Sequence, residues 1–210
     1  MNLEYILPGE IEHRSFEMIE SELPHPIPEA YKPIVMRVIH TTADFEYADS
    51  MYFSQDVIAI AEQAIQTGAV FVTDTNMAKA GINKAALSRH ACTCECFMAD
   101  PDIAETAKQN GTTRASASVD KAAELQKPVI FVCGNAPTAL IRLSELIDSN
   151  RFLPRLVIGV PVGFVNVVPA KEILIQTGIP CIVARGRKGG SNVAAAICNA
   201  LLYMADSKNS

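Results

Sequence analysis

Apolar residues along this chain follow two periods. Short unbroken runs stand at residues 69–73, 129–133, 156–158 and 181–184, with no charged residue in any of them. Between them the spacing changes to threes and fours, as in Leu140, Leu143 and Ile147. Short continuous runs that alternate with helical periods predict parallel strands buried on both faces. A further strand is expected where Cys92, Cys94 and Cys96 alternate, because a period of two puts all three on one face. The pattern predicts an α/β fold: a doubly wound, mostly parallel sheet of about five strands, flavodoxin-like, preceded by N-terminal helices. One domain over residues 1–210 is the economical expectation.

Punctuation supports these elements. Pro137 and Pro169 suit helix starts, and Gly68, Gly111 and Gly178 suit helix ends. In a parallel sheet every loop that follows a strand leaves at the same edge, where ligands bind. Three such loops stand out here. They carry Gly134-Asn135-Ala136, Pro161-Val162-Gly163-Phe164 and Arg185-Gly186-Arg187-Lys188-Gly189-Gly190-Ser191. The last is the most basic short stretch of the chain, and a helix follows it. Backbone N–H groups and the helix dipole favour an anion there. Thr73-Asp74-Thr75-Asn76 is helix-capping chemistry after the run at 69–73. Arg114 follows two threonines at a helix start, which suits an anion and equally suits an ordinary surface arginine.

The first fifty residues read as helices. A helix is expected over residues 9–23, with Glu12 to Phe16 as its solvated face. Pro28 suits the first turn of a second helix, and Pro33 then demands a kink or a restart, because mid-helix proline costs roughly 3 kcal/mol. Ile34, Val35, Val38 and Ile39 form an apolar stripe. Arg37, His40, Thr41 and Asp44 lie at i, i+3, i+4 and i+7, on the opposite face. His40 is therefore expected outside the core, beside a guanidinium and a hydroxyl. A plain surface helix has the same spacing.

Charge and motif content narrow the function. A net charge of −5 argues against nucleic acid as partner. No stretch reaches the roughly 18 to 20 apolar residues that cross a bilayer, and the N-terminus lacks a secretory pattern. Six cysteines, clustered or in apolar runs, fit reduced thiols in a cytoplasmic protein. Zinc sites use Cys-x2-Cys pairs, so no metal is expected. Neither phosphate-binding glycine motif is present, and neither is a serine nucleophile elbow or a His-Glu-x-x-His helix.

Six motifs then carry a resemblance. They are Glu12-x-Arg14-Ser15-Phe16, Arg37-Val38-Ile39-His40, Thr112-Thr113-Arg114-Ala115-Ser116, Gly134-Asn135-Ala136-Pro137-Thr138-Ala139-Leu140, Pro161-Val162-Gly163-Phe164 and Gly186-Arg187-x-Gly189-Gly190-Ser191. In this order they resemble the precorrin-8X methylmutase family, which includes the cobalt-precorrin-8 methylmutases, over essentially the whole chain. The cysteine run and Pro33 lie outside these motifs. The resemblance implies an isomerase of cobalamin biosynthesis that moves a methyl group from C11 to C12 of a corrin precursor, giving hydrobyrinate or cobyrinate. It implies no cofactor, neither redox group nor methyl donor. It implies His40 as the catalytic acid, and a homodimer with its site near the subunit interface. Ser15, Arg37, Thr41, Asp74, Arg114, Asn135, Ala136, Gly163, Phe164, Arg187, Gly189, Gly190 and Ser191 become the expected substrate-binding set. A corrinoid with many carboxylates would meet arginines and helix N-termini there. Two other classes remain: a tetrapyrrole carrier without turnover, and an anion-binding regulator that needs neither His40 nor a broad pocket.

Overall fold

The computed structural model describes residues 5–207. The first four residues and residues 208–210 lie outside the described residues; the last residues from Ser207 read in sequence as a free tail, but Ser207 itself closes the final helix. The elements run α1 (Ile11–Glu22), α2 (Lys32–Thr42), α3 (Tyr47–Ser50), β1 (Met51–Phe53), α4 (Val57–Gln66), β2 (Val70–Thr73), α5 (Asn76–Gly81), α6 (Lys84–Arg89) and β3 (Thr93–Glu95). They continue α7 (Pro101–Gln109), α8 (Arg114–Ala123), β4 (Val129–Cys133), α9 (Pro137–Asp148), β5 (Leu156–Gly159), α10 (Val167–Gln176), β6 (Cys181–Ala184) and α11 (Ser191–Ser207).

The sheet has six strands in the order β1-β6-β5-β4-β2-β3. β2 to β6 are mutually parallel, as expected, and form the flavodoxin-like set. β1 is an added edge strand that the sequence pattern did not mark: it pairs antiparallel with β6, Tyr52 opposite Val183. Its three residues are too short, and each too exposed, to show a strand period. The strand expected around Cys92, Cys94 and Cys96 is the edge strand β3. Burial raises the Cys94 thiol to about 12 and Cys92 to about 11.

Each central strand is buried on both faces, and its residues alternate between two cores. Phe71, Ile130, Val132, Ile158 and Ile182 face a core built with α2, α4 and α11. Val72, Phe131, Val157 and Val183 face a second core under α8, α9 and α10. Burying one Val, Leu, Ile or Phe contributes about 1.5–3 kcal/mol, so these two layers fix the sheet. α11 is buried along most of its length, from Val193 to Ala205, and packs against α2.

The proline-rich segment departs from expectation. No helix starts at Pro28. Its carbonyl instead accepts the N–H groups of Tyr31 and Lys32 in a turn. α2 then starts at Lys32, with Pro33 in its first turn, where the missing N–H costs nothing. α2 also ends sooner than the polar stripe suggests. Ala43 adopts a left-handed conformation (φ 53°) and caps the helix, so Asp44 lies beyond it.

Candidate active site

The parallel strands deliver their following loops to one edge, and hydrogen bonds tie those loops into a rim. The chain reverses its direction of travel between β2 and β4, which places Asp74 at the switch point. Asp74 is buried, 2% exposed. Its carboxylate accepts the N–H groups of Gly134 (2.8 Å), Asn135 (2.8 Å) and Ala136 (2.7 Å). Asp74 thus grips the loop after β4 from below, and its oxygens are engaged by the chain itself. The Cys133 thiol donates to the Ala136 carbonyl at 3.2 Å, and burial pushes it well above its ordinary value.

The loops after β5 and β6 join the same rim. Gly163 N–H donates to the Arg187 carbonyl (3.1 Å), and Gly190 N–H to the Val160 carbonyl (2.9 Å). The Arg187 guanidinium lies 5.4 Å from the centre of the exposed Phe164 ring. Ser191 starts α11, and its hydroxyl is 2.7 Å from that of Thr75, the N-cap of α5. Two glycines are required by these approaches. A Cβ on Gly134 would stand 2.9 Å from the Ser191 Cα, and one on Gly189, at φ 153°, only 2.1 Å from the Val160 carbonyl oxygen. Asp74, Asn135, Ala136, Gly163, Phe164, Arg187, Gly189, Gly190 and Ser191 are therefore brought together.

His40 stands on the last turn of α2 and is exposed. Its ring packs 5.2 Å from that of Phe16. Ser15 and His40 line one cavity of about 230 Å³ with Met18, Ile19 and Phe45. Thr41, the next residue, is exposed as well. Arg37, one turn earlier, shares the Phe16 ring with His40: it lies over the rings of Phe16 and Tyr203 and pairs with Glu12 at 2.8 Å. Asp44 links this helix end to the rim, accepting from Lys188 Nζ at 2.5 Å. Arg114 opens α8, exposed, and follows the cap Thr113, whose hydroxyl is 3.0 Å from that of Thr138 in α9. It thus flanks the loop after β4, away from α2.

The precorrin-8X methylmutase family model matches residues 10–204, nearly the whole chain. This chain belongs to the precorrin-8X methylmutase family. Its relatives include the cobalt-precorrin-8 methylmutases of Priestia megaterium, 45% identical over 96% of this chain and 90% of the relative, and of Salmonella typhimurium, 44% identical over 93% and 95%. The precorrin-8X methylmutase of Pseudomonas aeruginosa is 34% identical over 95% and 97%. A crystal structure of the Thermus thermophilus precorrin-8X methylmutase superimposes with a TM-score of 0.87 at 38% identity, covering 96% of this chain and all of that one. Methylmutases are isomerases of cobalamin biosynthesis, so membership does not favour the carrier reading. Among the described residues no helix is long and apolar enough to cross a membrane.

Three groups at the site went unmarked by the motifs. Thr75 is one, bonded to Ser191. Lys188 is another, paired with Asp44 and Glu46. The third is Lys171 on α10, which bonds two carbonyls of the basic loop. Thr75 and Lys188 stand in the capping run and the basic loop; the signal of Lys171 is that it falls on the stripe of Val167, Ala170 and Leu174, where an apolar residue is expected.

Proposed function

We propose that this protein converts cobalt-precorrin-8 by moving the C11 methyl group to C12, with His40 as the acid. The observation that carries the assignment of roles is the position of His40: exposed, in one cavity with Ser15, on a helix tied to the basic rim through Asp44. Imidazole is the side chain best suited to proton transfer near neutrality. Protonation leaves the conjugated ring electron-poor, which eases the 1,5-shift of the methyl group. The proton is returned when the product forms, so the reaction is an isomerisation and consumes no co-reactant.

The rim holds the substrate in this reading. Arg187, the amides of the 185–191 loop and the N-terminus of α11 meet its carboxylates, and Phe164 lies against its periphery. Ser15 and Thr41 border the ring beside His40, and Arg114 takes an outlying carboxylate. Asp74 and Arg37 act through what they hold, the loop after β4 and the packing of α1 on α2.

A corrin macrocycle is far larger than a 230 Å³ cavity, so it lies across the open face. Phe164 and Val165 are 81% and 78% exposed beside that face, and Ile11 and Met18 on α1 are also exposed. A second copy of the chain covers these side chains and closes the site, making the working form a homodimer. Light scattering reads the mass directly, and a monomer at assay concentration removes the shared-site arrangement. The protein works in the cytoplasm as one folded domain.

The higher identities to the cobalt-precorrin-8 enzymes, against 34% and 32% to two precorrin-8X enzymes, favour the cobalt-containing substrate. Parallel assays with cobalt-containing and metal-free precorrin-8 test this: faster turnover of the metal-free ring overturns the cobalt assignment, and turnover of neither overturns the function.

A further inference from the structure

Lys171 is 0% exposed, the one fully buried cation among the described residues. It replaces an apolar residue on the buried stripe of α10. No carboxylate is bonded to it among the described residues. Its Nζ donates instead to the Gly186 carbonyl and the Lys188 carbonyl, both at 2.8 Å. An isolated ammonium removed from water is costly, and two carbonyls repay part of that cost.

The consequence lies on the other side of those peptides. Among the described residues every peptide bond is trans, and in a planar trans peptide the C=O and N–H point in opposite directions. With the carbonyls of residues 186 and 188 turned down to Lys171, the N–H groups of Arg187 and Gly189 turn away from it. Neither finds a hydrogen-bond partner among the described residues. Two amide donors two residues apart, in the loop that carries Arg187, are left free to meet an anion.

We propose that Lys171 is the positioning residue of the carboxylate subsite: it orients the 186–187 and 188–189 peptides toward the substrate and lends them a buried positive charge. The inference rests on the corrinoid reading above and assigns the contact to one loop and one lysine. Burial pushes the Lys171 ammonium down to about 8, opposed by Cys133 and Glu172. Other charges around it are engaged elsewhere. Glu172 pairs with Arg185, Lys188 with Asp44 and Glu46, and Asp74 with backbone amides. On α9, Arg142 pairs with Asp120 and Glu145, and Asp148 is exposed at its far end. On β6, Cys181 lies at the opposite end of the strand. A carboxylate placed on the two amides therefore favours the charged form of Lys171, and binding above pH 8 takes up a proton.

Calorimetric titration with cobyrinate, at pH 8.5 in buffers of different ionisation enthalpy, counts that proton. Wild type should take up about half a proton per site, for an opposite charge that raises proton affinity about tenfold. Lys171→Met should bind cobyrinate about tenfold more weakly, equivalent to 1.4 kcal/mol, and lose this uptake while keeping its circular dichroism. Equal proton counts in wild type and variant, or equal affinity, overturn the proposal. If Lys171→Met does not fold, wild type decides alone: no uptake at pH 8.5 with none lost at pH 7 overturns it, and uptake confined to the higher pH supports it. Cobyrinate that fails to bind wild type at pH 7 sinks the corrinoid reading itself, and the inference with it.

Discussion

The end of α2 and the rim of strand ends, the two halves of the proposed site, are built by opposite means. At the end of α2, His40 and Thr41 stand exposed on a helix whose other face, Ile34, Val35, Val38 and Ile39, is fully buried. Among the described residues, the imidazole packs against the neighbouring Phe16 ring. At the rim the backbone itself is held, by a buried carboxylate under the loop after β4 and a buried ammonium under the loop after β6. A group that exchanges a proton needs access and room to rotate. Loops that present amides to a charged ligand need fixed peptide planes, and only buried, fully bonded groups fix them at low dielectric. Changes in the first half should alter rate without altering stability. Changes beneath the second should alter both.

The largest effect expected is on rate. His40→Ala should lose about 10²- to 10⁴-fold in single-turnover conversion, with an unchanged melting temperature and retained product binding. Conversion near the wild-type rate removes the acid role, and a collapsed melting temperature breaks the contrast between the halves.

Asp74→Ala comes next. Three N–H groups lose their acceptor, and an unmade buried hydrogen bond costs about 1–3 kcal/mol. Urea unfolding should show a loss of at least about 3 kcal/mol, together with weaker corrinoid binding. An unchanged unfolding midpoint would mean that the loop after β4 holds itself.

Arg187→Ala should weaken corrinoid binding by about ten- to a hundredfold, the value of one charge-assisted hydrogen bond of roughly 1.5–3 kcal/mol. Stability should not follow, since the guanidinium is exposed. Full affinity in an absorbance titration would take the guanidinium out of the site.

The smallest effect concerns the link between the halves. Lys188 holds the Asp44 carboxyl below its usual 3.8. A carboxyl lowered in the folded state adds stability above its unfolded value, and that stability is lost as pH falls through the lower folded value. Exposed pairs contribute within about 1 kcal/mol, so Asp44→Asn should cost little at pH 7 and flatten slightly the acid limb of the stability curve below pH 4. A drop in turnover far beyond that cost would show that this pair sets the distance between His40 and the rim.

Much of the site was legible in the chain because its signals are local. The polar stripe that exposes His40, the glycines at 134 and 189 and the clustered cations at 185–188 are all patterns within one turn or one loop. Asp74 was legible as part of a capping run, but its partners lie sixty and more residues on, so its hold on the loop after β4 was not. Arg37 shares the His40 stripe, but its partners Glu12 and Tyr203 come from the two ends of the chain, so its pairing was not legible. β1 escaped notice because three half-exposed residues have no period of their own, and it exists through its pairing with β6.

The sequence by itself determined the five parallel strands, the helix face that carries His40 and the family, since short-range periodicity and ordered motifs are properties of the chain alone. Tertiary structure decided which charges are bound to the backbone and which stand exposed. Lys171 and Asp74 are the clearest cases. A lysine or an aspartate looks the same in a sequence whether it faces water or the underside of a loop. Its meaning comes from burial, which makes an unpartnered charge untenable and so binds it to the backbone of segments that only folding brings near.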